Sequence, residues 1–539
     1  MGTHRRRAKI GPTLGMIMQF DFLEPLLSAE EAQRADHYTI RTFHLSGSEL
    51  MERAGLKVAQ EVEEILLGRP KPWSEIPVVV VCGPGNNGGD GWVVARRLWQ
   101  NGIRTAILSF LEPDQLHGEA HIAAHQFIAA AENELWSLPS LDPCFQTIQT
   151  ASHVSQILNQ LSPLVVVDAI FGTGLKKAAG GLFAEVIDAI NNYKRARSET
   201  HVLAIDIPSG LPSDGEMLSE THVRADSTLA IQFRKRTHLS GGGWLSCGKV
   251  KRVDIGISLE SPAKVQGLLA QNQPPKVLLL PPKANQHKGH YGHVAVLYGS
   301  AGIEGASELS AYAALRGGAG LVTLLDGPKA KLKTFAEIMT QEITSQLTEL
   351  ERYSAFVVGP GVGESRLEQA REILMWAHRN NRPVVVDAGA LPLLHKLSTD
   401  APRSIMVATP HPGEAARLMH QSVIDVQADR IASAEKLLAL SEMWSVDLTW
   451  VLKGTCPIVA HKSHGIVVVE GGVSTLAVGG SGDVLAGLCG ALFKQTRSGF
   501  DCAILGTAVH LQSGRSLLTQ HARGFLAREI ADEIPKVIF

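Results

Sequence analysis

The chain has 539 residues, of which 45% are hydrophobic and 19% are charged, and its formal net charge is -2. One hydrophobic core rarely supports a chain of this length, so we expect two large domains. The nearly balanced charge argues against a nucleic-acid partner, and the lack of an apolar run of about 20 residues argues against a membrane span.

The chain begins with a basic segment, Arg5-Arg6-Arg7-Ala8-Lys9. No apolar stretch of about 7 to 15 residues with a cleavage site follows it, so residues 1–18 are predicted to be a disordered tail rather than a targeting signal. The six cysteines contain no Cys-x-x-Cys pair, which argues against a zinc site and against a disulfide framework. We therefore expect a cytoplasmic protein.

Short Val/Ile-rich runs that end at Gly or Asp alternate with longer Ala/Leu/Glu-rich segments, a pattern typical of parallel α/β layers. The runs predicted as strands are 78–81, 164–167 and 202–205 in the first half, and 294–298, 321–325, 356–358, 384–386, 405–408, 449–452 and 466–469 in the second. The proline-rich stretch 261–282 is predicted to be a linker. We place the boundary there, between an N-terminal domain (19–270) and a C-terminal domain (271–539).

The first predicted strand leads into Gly83-Pro84-Gly85-Asn86-Asn87-Gly88-Gly89-Asp90-Gly91, ahead of an apolar helix start at Trp92. This segment contains the G-x-G-x-x-G pattern of dinucleotide dehydrogenases. Its amides and its carboxyl group argue against a pyrophosphate site, because Asp90 would repel phosphates. They favour hydrogen bonds to ribose, amide or hydroxyl groups, or carbonyl oxygens for a cation. A tight turn that needs glycines is the alternative.

Two further strand exits carry polar groups, Asp168 to Gly174 and Asp206 to Leu211. Loops at the carboxyl ends of parallel strands meet at one edge of the sheet, so we expect these two loops to join the first one there. Oxygen ligands from Asn87, Asp168 and Ser209 would suit a hard monovalent or divalent cation. A capping role for each of these side chains is the alternative.

Near the C-terminus, Gly479-Gly480-Ser481-Gly482-Asp483 opens an apolar stretch that is predicted to start a helix. Small residues let the backbone approach a polyanion, and the helix N-terminus favours negative charge. Asp483 is placed to take a proton from an attacking oxygen. The pattern indicates phosphate-coupled chemistry on a hydroxyl, although many such loops are only turns.

Together these segments resemble those of bacterial NAD(P)H-hydrate repair proteins. The N-terminal resemblance includes the three loops and the segment Leu50 to Gly55. The C-terminal resemblance rests on His287 to Gly292, Gly299 to Ala306, Leu315 to Val322, Gly359 to Gly363, Pro410 to Glu414 and Val451 to Thr455. It spans nearly the whole chain. It implies an α/β fold in which an N-terminal Rossmann-like three-layer domain is followed by a C-terminal ribokinase-like domain.

For the N-terminal domain, the resemblance implies an epimerase that interconverts the R and S forms of hydrated NADH or NADPH, with potassium at Asn87, Asp168 and Ser209. Asp206 is the residue that we expect to transfer protons. The implied substrate contacts are Asn86, Asn87, Gly88, Gly89, Asp90, Gly172, Thr173, Gly174, Leu175, Lys176, Lys177, Ala178 and Asp206.

For the C-terminal domain, the resemblance implies an ADP-dependent dehydratase of the S form, with ATP as the alternative donor. Asp483 would be the base that deprotonates the hydroxyl as it attacks the terminal phosphoryl group, and Mg²⁺ would stabilise the developing charge. Elimination of phosphate then regenerates NAD(P)H. The implied nucleotide contacts are Lys453, Gly454, Thr455, Cys456, Pro457 and Gly482. The implied hydrate contacts are Ala306, Gly361, Gly363, His411 and Asp483.

Three alternatives stay open at this point. The C-terminal half could be a kinase of a vitamin precursor or sugar, since ribokinase-like enzymes share the Gly-rich loop and the following Asp. The N-terminal half could be a non-catalytic nucleotide-binding or oligomerisation module. His411 could belong to a helix-start turn, with Glu414 near the helix dipole. We also expect a homo-oligomer, a tetramer or larger.

Overall fold

The structure is a computed structural model. It describes residues 22–67, 77–132, 145–175, 177–215, 221–269, 276–281, 285–327, 336–344, 347–397 and 405–539. The predicted tail, 1–18, lies outside the described residues, as does Lys176. Among the described helices, none is both long enough and apolar enough to cross a membrane.

The described strands and helices alternate along most of the chain. The strands are β1 (Glu24–Leu27), β2 (Val78–Cys82), β3 (Thr105–Ser109), β4 (Phe145–Thr147), β5 (Val165–Ala169), β6 (His201–Ile205), β7 (Ser227–Ile231), β8 (Arg234–Lys235), β9 (Lys249–Val253), β10 (Val265–Leu268), β11 (His293–Leu297), β12 (Leu321–Leu325), β13 (Met339–Gln341), β14 (Ala355–Val358), β15 (Val384–Val386), β16 (Met406–Ala408), β17 (Leu448–Leu452), β18 (Ile458–His461) and β19 (Gly465–Val469). The helices are α1 (Ala29–Phe43), α2 (Gly47–Leu67), α3 (Asn86–Gln100), α4 (Gly118–Glu132), α5 (Ala151–Leu161), α6 (Leu182–Ala196), α7 (Gly241–Ser246), α8 (Gly305–Arg316), α9 (Leu367–Arg379), α10 (Pro412–Met419), α11 (Val423–Ala428), α12 (Arg430–Met443), α13 (Ser481–Leu492), α14 (Gly499–Leu517) and α15 (Ala527–Ile538).

The first sheet has the strand order β4-β3-β2-β5-β6-β7-β9, and all its described pairs are parallel. Side chains of β2 alternate between its faces. Val78 and Val80 pack with helices α2, α3 and α4, whereas Val79 and Val81 pack with α5 and α6. The strand order reverses between β2 and β5, which is where doubly wound sheets bind ligands. The predicted α/β fold with a Rossmann-like order of strands is confirmed here.

The second sheet joins strands from both halves of the chain. Its order is β13-β12-β11-β14-β15-β16-β17-β18-β19-β10-β1-β8, so the nine strands β11–β19 are extended by three strands that precede residue 271, counting described residues only. The seven neighbouring strands β13-β12-β11-β14-β15-β16-β17 are all parallel. Helices α8, α13, α14 and α15 pack on one face of the sheet, and α9, α10 and α12 pack on the other. Each sheet therefore lies between two layers of helices, so both domains have three layers.

The structure corrects two expectations. The linker predicted at 261–282 is wrong in part, because Val265–Leu268 form the buried strand β10, which pairs with β1 on one side and β19 on the other. The helix predicted to start at Trp92 begins earlier, at Asn86. The polar, glycine-containing segment from Asn86 to Gly91 is therefore the first part of α3. The domain boundary near residue 271 stays a prediction.

Candidate functional sites

A cavity of about 660 Å³ lies at the carboxyl ends of β2, β5 and β6. The sequence placed polar loops at these three strand exits, and the cavity brings them together. The predicted substrate contacts that line it are Asn86, Asn87, Asp90, Gly172, Thr173, Gly174, Leu175 and Asp206. The three loops therefore line one cavity.

Other predicted contacts lie outside the cavity lining. A Cβ atom on Gly88 would lie 1.9 Å from the carbonyl oxygen of Gly83, and one on Gly89 would lie 2.5 Å from Cε of Met51. These two glycines thus let the backbone of α3 approach its neighbours closely. Lys177 and Ala178 do not line the cavity.

Asp206 is held in a left-handed conformation directly after β6, with φ 63°. Such a conformation is unusual for a residue with a side chain and persists where surrounding contacts enforce it. Its Oδ1 accepts a hydrogen bond from the backbone N–H of Ile231 at 2.9 Å and forms an ion pair with Nζ of Lys235. Its Oδ2 has no hydrogen-bond partner among the described residues. The carboxylate is anchored on one oxygen and free on the other.

Lys235 and His238 complete this arrangement, and the sequence analysis missed both. Nζ of Lys235 also donates to the carbonyl oxygen of Ile231 at 2.9 Å. Burial, with help from Lys235, lowers the pKa of His238 to about 3, so the imidazole is neutral. Its Nδ1 accepts from the backbone N–H of Lys235 at 3.0 Å, and its Nε2 therefore donates to the carbonyl oxygen of Asp206 at 2.8 Å. The basic run Arg234-Lys235-Arg236, just after a strand, was the available signal.

The three predicted potassium ligands surround the backbone of Phe171 and Gly172. Oγ of Ser209 donates to Oδ1 of Asp168 at 2.5 Å and accepts from the N–H of Phe171 at 2.8 Å. A Cβ atom on Gly172 would lie 3.0 Å from Oδ1 of Asn87. The amide nitrogen of Asn87 is buried without a partner in the described structure.

This donor set fits a hard cation, since it offers an amide, a carboxylate and a hydroxyl oxygen. Burial raises the pKa of Asp168 to about 6, although hydrogen bonds from Ser209 oppose the shift. A bound cation would favour the ionised carboxylate. No group of three or more His, Cys, Asp or Glu side chains that could hold a metal occurs in the part of the chain that the structure describes.

A second cluster of charged groups lies at the start of α13. Asp483 is the third residue of this helix, and Gly480 precedes the helix with φ 91°. Burial, with the nearby Asp387 carboxylate, raises the pKa of Asp483 to about 6. Nζ of Lys453 lies 2.9 Å from Oδ1 of Asp387 and 3.9 Å from Oε2 of Glu414. Although burial opposes the charge, these carboxylates raise the pKa of Lys453, which stays protonated.

The cluster unites residues from the ends of β15 and β17, from α10 and from the start of α13. A Cβ atom on Gly482 would lie 3.1 Å from Nζ of Lys453, so this loop and Lys453 are adjacent. The sequence analysis predicted Lys453, Gly482 and Asp483 but did not assign Asp387 a role. The signal for Asp387 was a carboxyl group directly after a buried Val/Ile run.

His411 forms the helix-start turn that the sequence offered as an alternative. Its Nδ1 accepts from the N–H of Gly413 at 3.0 Å, and Oε2 of Glu414 accepts from the N–H of His411 at 2.7 Å. Nε2 of His411 lies 3.3 Å from Oε1 of Glu414 and is half-exposed on the side of the charged cluster. Capping does not exclude contact with a ligand, because the imidazole remains accessible.

The start of α8, which carries Ala306, lies beside the loop that carries Gly361 and Gly363. Oγ of Ser300 accepts from the N–H of Gly363 at 3.0 Å, and the N–H of Ser300 donates to the carbonyl oxygen of Gly361 at 2.8 Å. A Cβ atom on Gly361 would lie 3.4 Å from Cβ of Ala306. The predicted hydrate contacts Ala306, Gly361 and Gly363 therefore lie close together, at the start of α8 and in the loop beside it.

The predicted nucleotide loop is shaped by Arg430, a residue that the sequence analysis missed. Arg430 is 4% exposed, and its Nη2 donates to the carbonyl oxygens of Leu452, Lys453 and Cys456 at 3.2, 3.1 and 3.3 Å. Gly454 has φ 142°, and a Cβ atom there would lie 2.6 Å from Nη1 of Arg430. Only glycine fits this position.

The loop exposes only part of its length. Gly454 and Thr455 are exposed, whereas Cys456 and Pro457 are buried. Burial raises the pKa of the Cys456 thiol to about 12, so this side chain is a neutral part of the core. Any contact of Cys456 and Pro457 with a ligand would therefore come through the backbone.

Comparison with known proteins gives two family matches. Residues 47–237 match the family described as YjeF-related protein N-terminus, and residues 294–536 match the family described as NAD(P)H-hydrate dehydratase. The chain is 31% identical to the bifunctional NAD(P)H-hydrate repair enzyme Nnr of Escherichia coli (strain K12), over 95% of this chain and 93% of that protein.

Two further relatives are similar to this chain. The bifunctional NAD(P)H-hydrate repair enzyme Nnr of Coxiella burnetii (strain RSA 493 / Nine Mile phase I) is 32% identical over 90% of this chain and 94% of its own length. The solved structure of the ADP/ATP-dependent NAD(P)H-hydrate dehydratase from Bacillus subtilis, co-crystallized with ATP/Mg²⁺, is 25% identical. It covers 49% of this chain and 94% of its own chain, with a TM-score of 0.41.

Proposed function

This chain belongs to the family of bifunctional NAD(P)H-hydrate repair enzymes, and we propose that the cavity of its first sheet is the epimerase site and the charged cluster of its second sheet the dehydratase site. The expected activities, epimerase and ADP-dependent dehydratase, are confirmed at the level of the family, as is the order of a Rossmann-like and a ribokinase-like domain. The small-molecule kinase and the non-catalytic N-terminal module are not favoured, because the similarity to repair enzymes covers at least 90% of this chain.

In the proposed dehydratase step, Asp483 removes the proton of the substrate hydroxyl as that oxygen attacks the terminal phosphoryl group of ADP, which enters with Mg²⁺. The observation that carries the proposal is the convergence of Asp483, Gly482 and Lys453 at the N-terminus of α13. Backbone N–H groups at a helix N-terminus and the Lys453 ammonium would stabilise the phosphoryl charge. Loss of phosphate from this carbon and of a proton from the neighbouring ring carbon then restores the C=C bond of the reduced nicotinamide ring.

In the proposed epimerase step, Asp206 exchanges a proton with the hydrate in the first cavity. Its free Oδ2 supports this role, since the ion pair with Lys235 occupies only Oδ1. The polar groups of Asn86, Asn87 and Thr173 line the same cavity and would orient the substrate by hydrogen bonds.

The test of both functions is the absorbance at 340 nm after purified full-length protein is mixed with R and S NADPH hydrates, Mg²⁺ and either ADP or ATP. We expect complete recovery with ADP, because both epimers reach the dehydratase. Recovery of the S fraction alone would contradict the epimerase proposal. A stable phosphorylated product without recovery at 340 nm would contradict the dehydratase proposal.

We further propose that potassium binds at Asn87, Asp168 and Ser209. The Ser209→Ala variant removes one oxygen ligand, so the potassium concentration needed for half-maximal thermal stabilisation should rise about tenfold, or about 1.4 kcal/mol of binding free energy. Thermal melting in KCl against equal NaCl measures this shift. Ser109→Ala is the matched control, since Ser109 is also a buried serine at a strand end of the same sheet. Equal potassium responses in both variants would refute the assignment.

Three broader expectations remain proposals. The boundary between domains 19–270 and 271–539 lies near residue 271. A cytoplasmic location is supported by Cys82, Cys247, Cys456, Cys489 and Cys502, which are all free thiols. The chain forms a homo-oligomer, a tetramer or larger. Light scattering that gave a monomer mass for the full chain would contradict it.

A further inference from the structure

The epimerase cavity contains a carboxyl group that comes from outside the N-terminal family match. Asp36 lies on α1, before residue 47 where that match begins, and it lines the cavity together with Asp206 and Lys235. Its carboxyl group makes no hydrogen bond and no ion pair within the described residues. It is therefore an unpartnered carboxyl group, among the described residues, that lines the proposed substrate cavity.

Asp36 and Asp206 differ in their environments although they share one cavity. The Asp206 carboxylate is ion-paired with Lys235 and accepts a backbone hydrogen bond from Ile231. Asp36 has neither contact. Two carboxyl groups in different environments of one cavity can supply the acid and the base of an enzyme site.

Building on the proposed epimerase function, we propose that Asp36 is its second acid–base residue, the proton donor to the departing hydroxyl, while Asp206 is the base that activates the incoming water. The two carboxyl groups reach the cavity from different elements, α1 and the end of β6. Inversion at a carbon atom needs groups that serve both of its faces, and two separate elements can supply them.

The proposed steps balance in atoms and electrons. Asp36 gives its proton to the hydroxyl, the bond between ring carbon and oxygen breaks with its electron pair on oxygen, and water leaves. The lone pair of the adjacent ring nitrogen forms a C=N bond, so the ring becomes a cation. Water then adds to the other face of the same carbon and gives a proton to Asp206. Return of this proton to Asp36 through solvent resets the site, without any oxidant or reductant.

The electrostatic environment of Asp36 agrees with its proposed role as the proton donor. Burial, with the Asp206 charge, raises the pKa of Asp36 to about 6, although Lys235 opposes the shift. The other titratable groups that line the cavity are His37 on α1, Asp90 on α3, Glu119 on α4, Asp206 and Lys235. Burial first, and then Asp206 and Asp36, hold the pKa of Asp90 well above its usual range.

The test follows the conversion of pure R hydrate to S hydrate by chromatography, with full-length protein and no nucleotide, so that the dehydratase is idle. After the protein-free rate is subtracted, Asp36→Asn should show an epimerisation rate about 10²-fold below that of the wild type. The reason is that an amide cannot act as the general acid that protonates the departing hydroxyl. The wild-type rate should fall as the pH rises above about 6, where Asp36 loses its proton, and the variant should lack this fall. Glu30→Gln is the matched control, since Glu30 is an exposed acid on the same helix.

Chemical rescue separates catalysis from folding. Formic acid is small enough to replace a missing carboxyl group, so it should restore activity to Asp36→Ala at least tenfold but should not accelerate Glu30→Gln. If Asp36→Asn keeps the wild-type rate and pH profile, or if formate rescues nothing, the proposal is wrong. A wild-type protein that fails to convert R to S, yet dehydrates the S hydrate, would instead refute the epimerase function itself.

Discussion

Replacement of Asp483 by asparagine should lower the ADP-dependent recovery of NAD(P)H from S hydrate by about 10³-fold. The amide has the size of the carboxylate and keeps the helix start, but it cannot take a proton from the substrate hydroxyl. The ammonium of Lys453 and the backbone N–H groups of the Gly-rich loop remain in place. Nucleotide affinity should therefore change much less than the turnover number.

The pH dependence gives a second readout of Asp483. Burial and Asp387 raise the pKa of Asp483 to about 6, and the ionised form is the one that acts as a base. The wild-type rate should consequently rise with pH through about 6 and then level off. The Asp483→Asn variant should lack this rise.

The matched control for Asp483 is Asp501→Asn. Asp501 is the third residue of α14, just as Asp483 is the third residue of α13, and both carboxyl groups are partly buried. The Asp501 variant should retain the wild-type rate within about threefold. Full activity of Asp483→Asn, or equal losses in the two variants, would remove Asp483 from the proposed role.

Replacement of Lys235 by methionine should lower the rate of epimerisation by about 10²-fold or more. The side chains of Lys235 and Asp206 are 5% and 11% exposed, so Asp206 would be left as a nearly buried charge without a counter-ion. Removal of one partner of a buried ion pair costs about 3 kcal/mol or more. Asp206 would then favour its protonated form, which cannot accept a proton from water.

The measurement is the conversion of R hydrate to S hydrate without nucleotide, with melting temperatures for each variant. Lys251→Met is the matched control, because Lys251 is also ion-paired, with Glu61 and Glu64, but lies on β9 and is half-exposed. β8 is a strand of the second sheet, so dehydration of S hydrate also checks that this sheet is intact. Wild-type epimerisation by Lys235→Met would disprove the role of this ion pair.

The sequence predicted the parts of the fold that depend on local pattern. All ten Val/Ile-rich runs form strands, each within two residues of the expected bounds, because a buried parallel strand needs an apolar run of this length. The Gly-rich loops after them were equally recognisable. Strands such as β1, β8 and β13 were missed, since their sequences contain no Val/Ile-rich run.

The candidate sites divide in the same way. Asn86, Asp206 and Asp483 could be named from sequence because each directly follows a buried strand or a Gly-rich turn. The charged residues that lie beside them could not be named from sequence. Lys453 meets Asp387 across 66 residues of sequence, and Lys235 meets Asp206 across 29. No local pattern encodes such a contact.

By itself, therefore, the sequence determined the two α/β domains, the loops that carry the chemistry and the family. Only the tertiary structure decided which charges these loops place beside one another, and with them which carboxyl groups are ionised. It also decided that β1, β8 and β10 complete the second sheet. The physical reason is that hydrogen-bonded strand pairing and ion pairing act between atoms close in space, whereas hydrophobic periodicity and glycine turns act between neighbours in the chain.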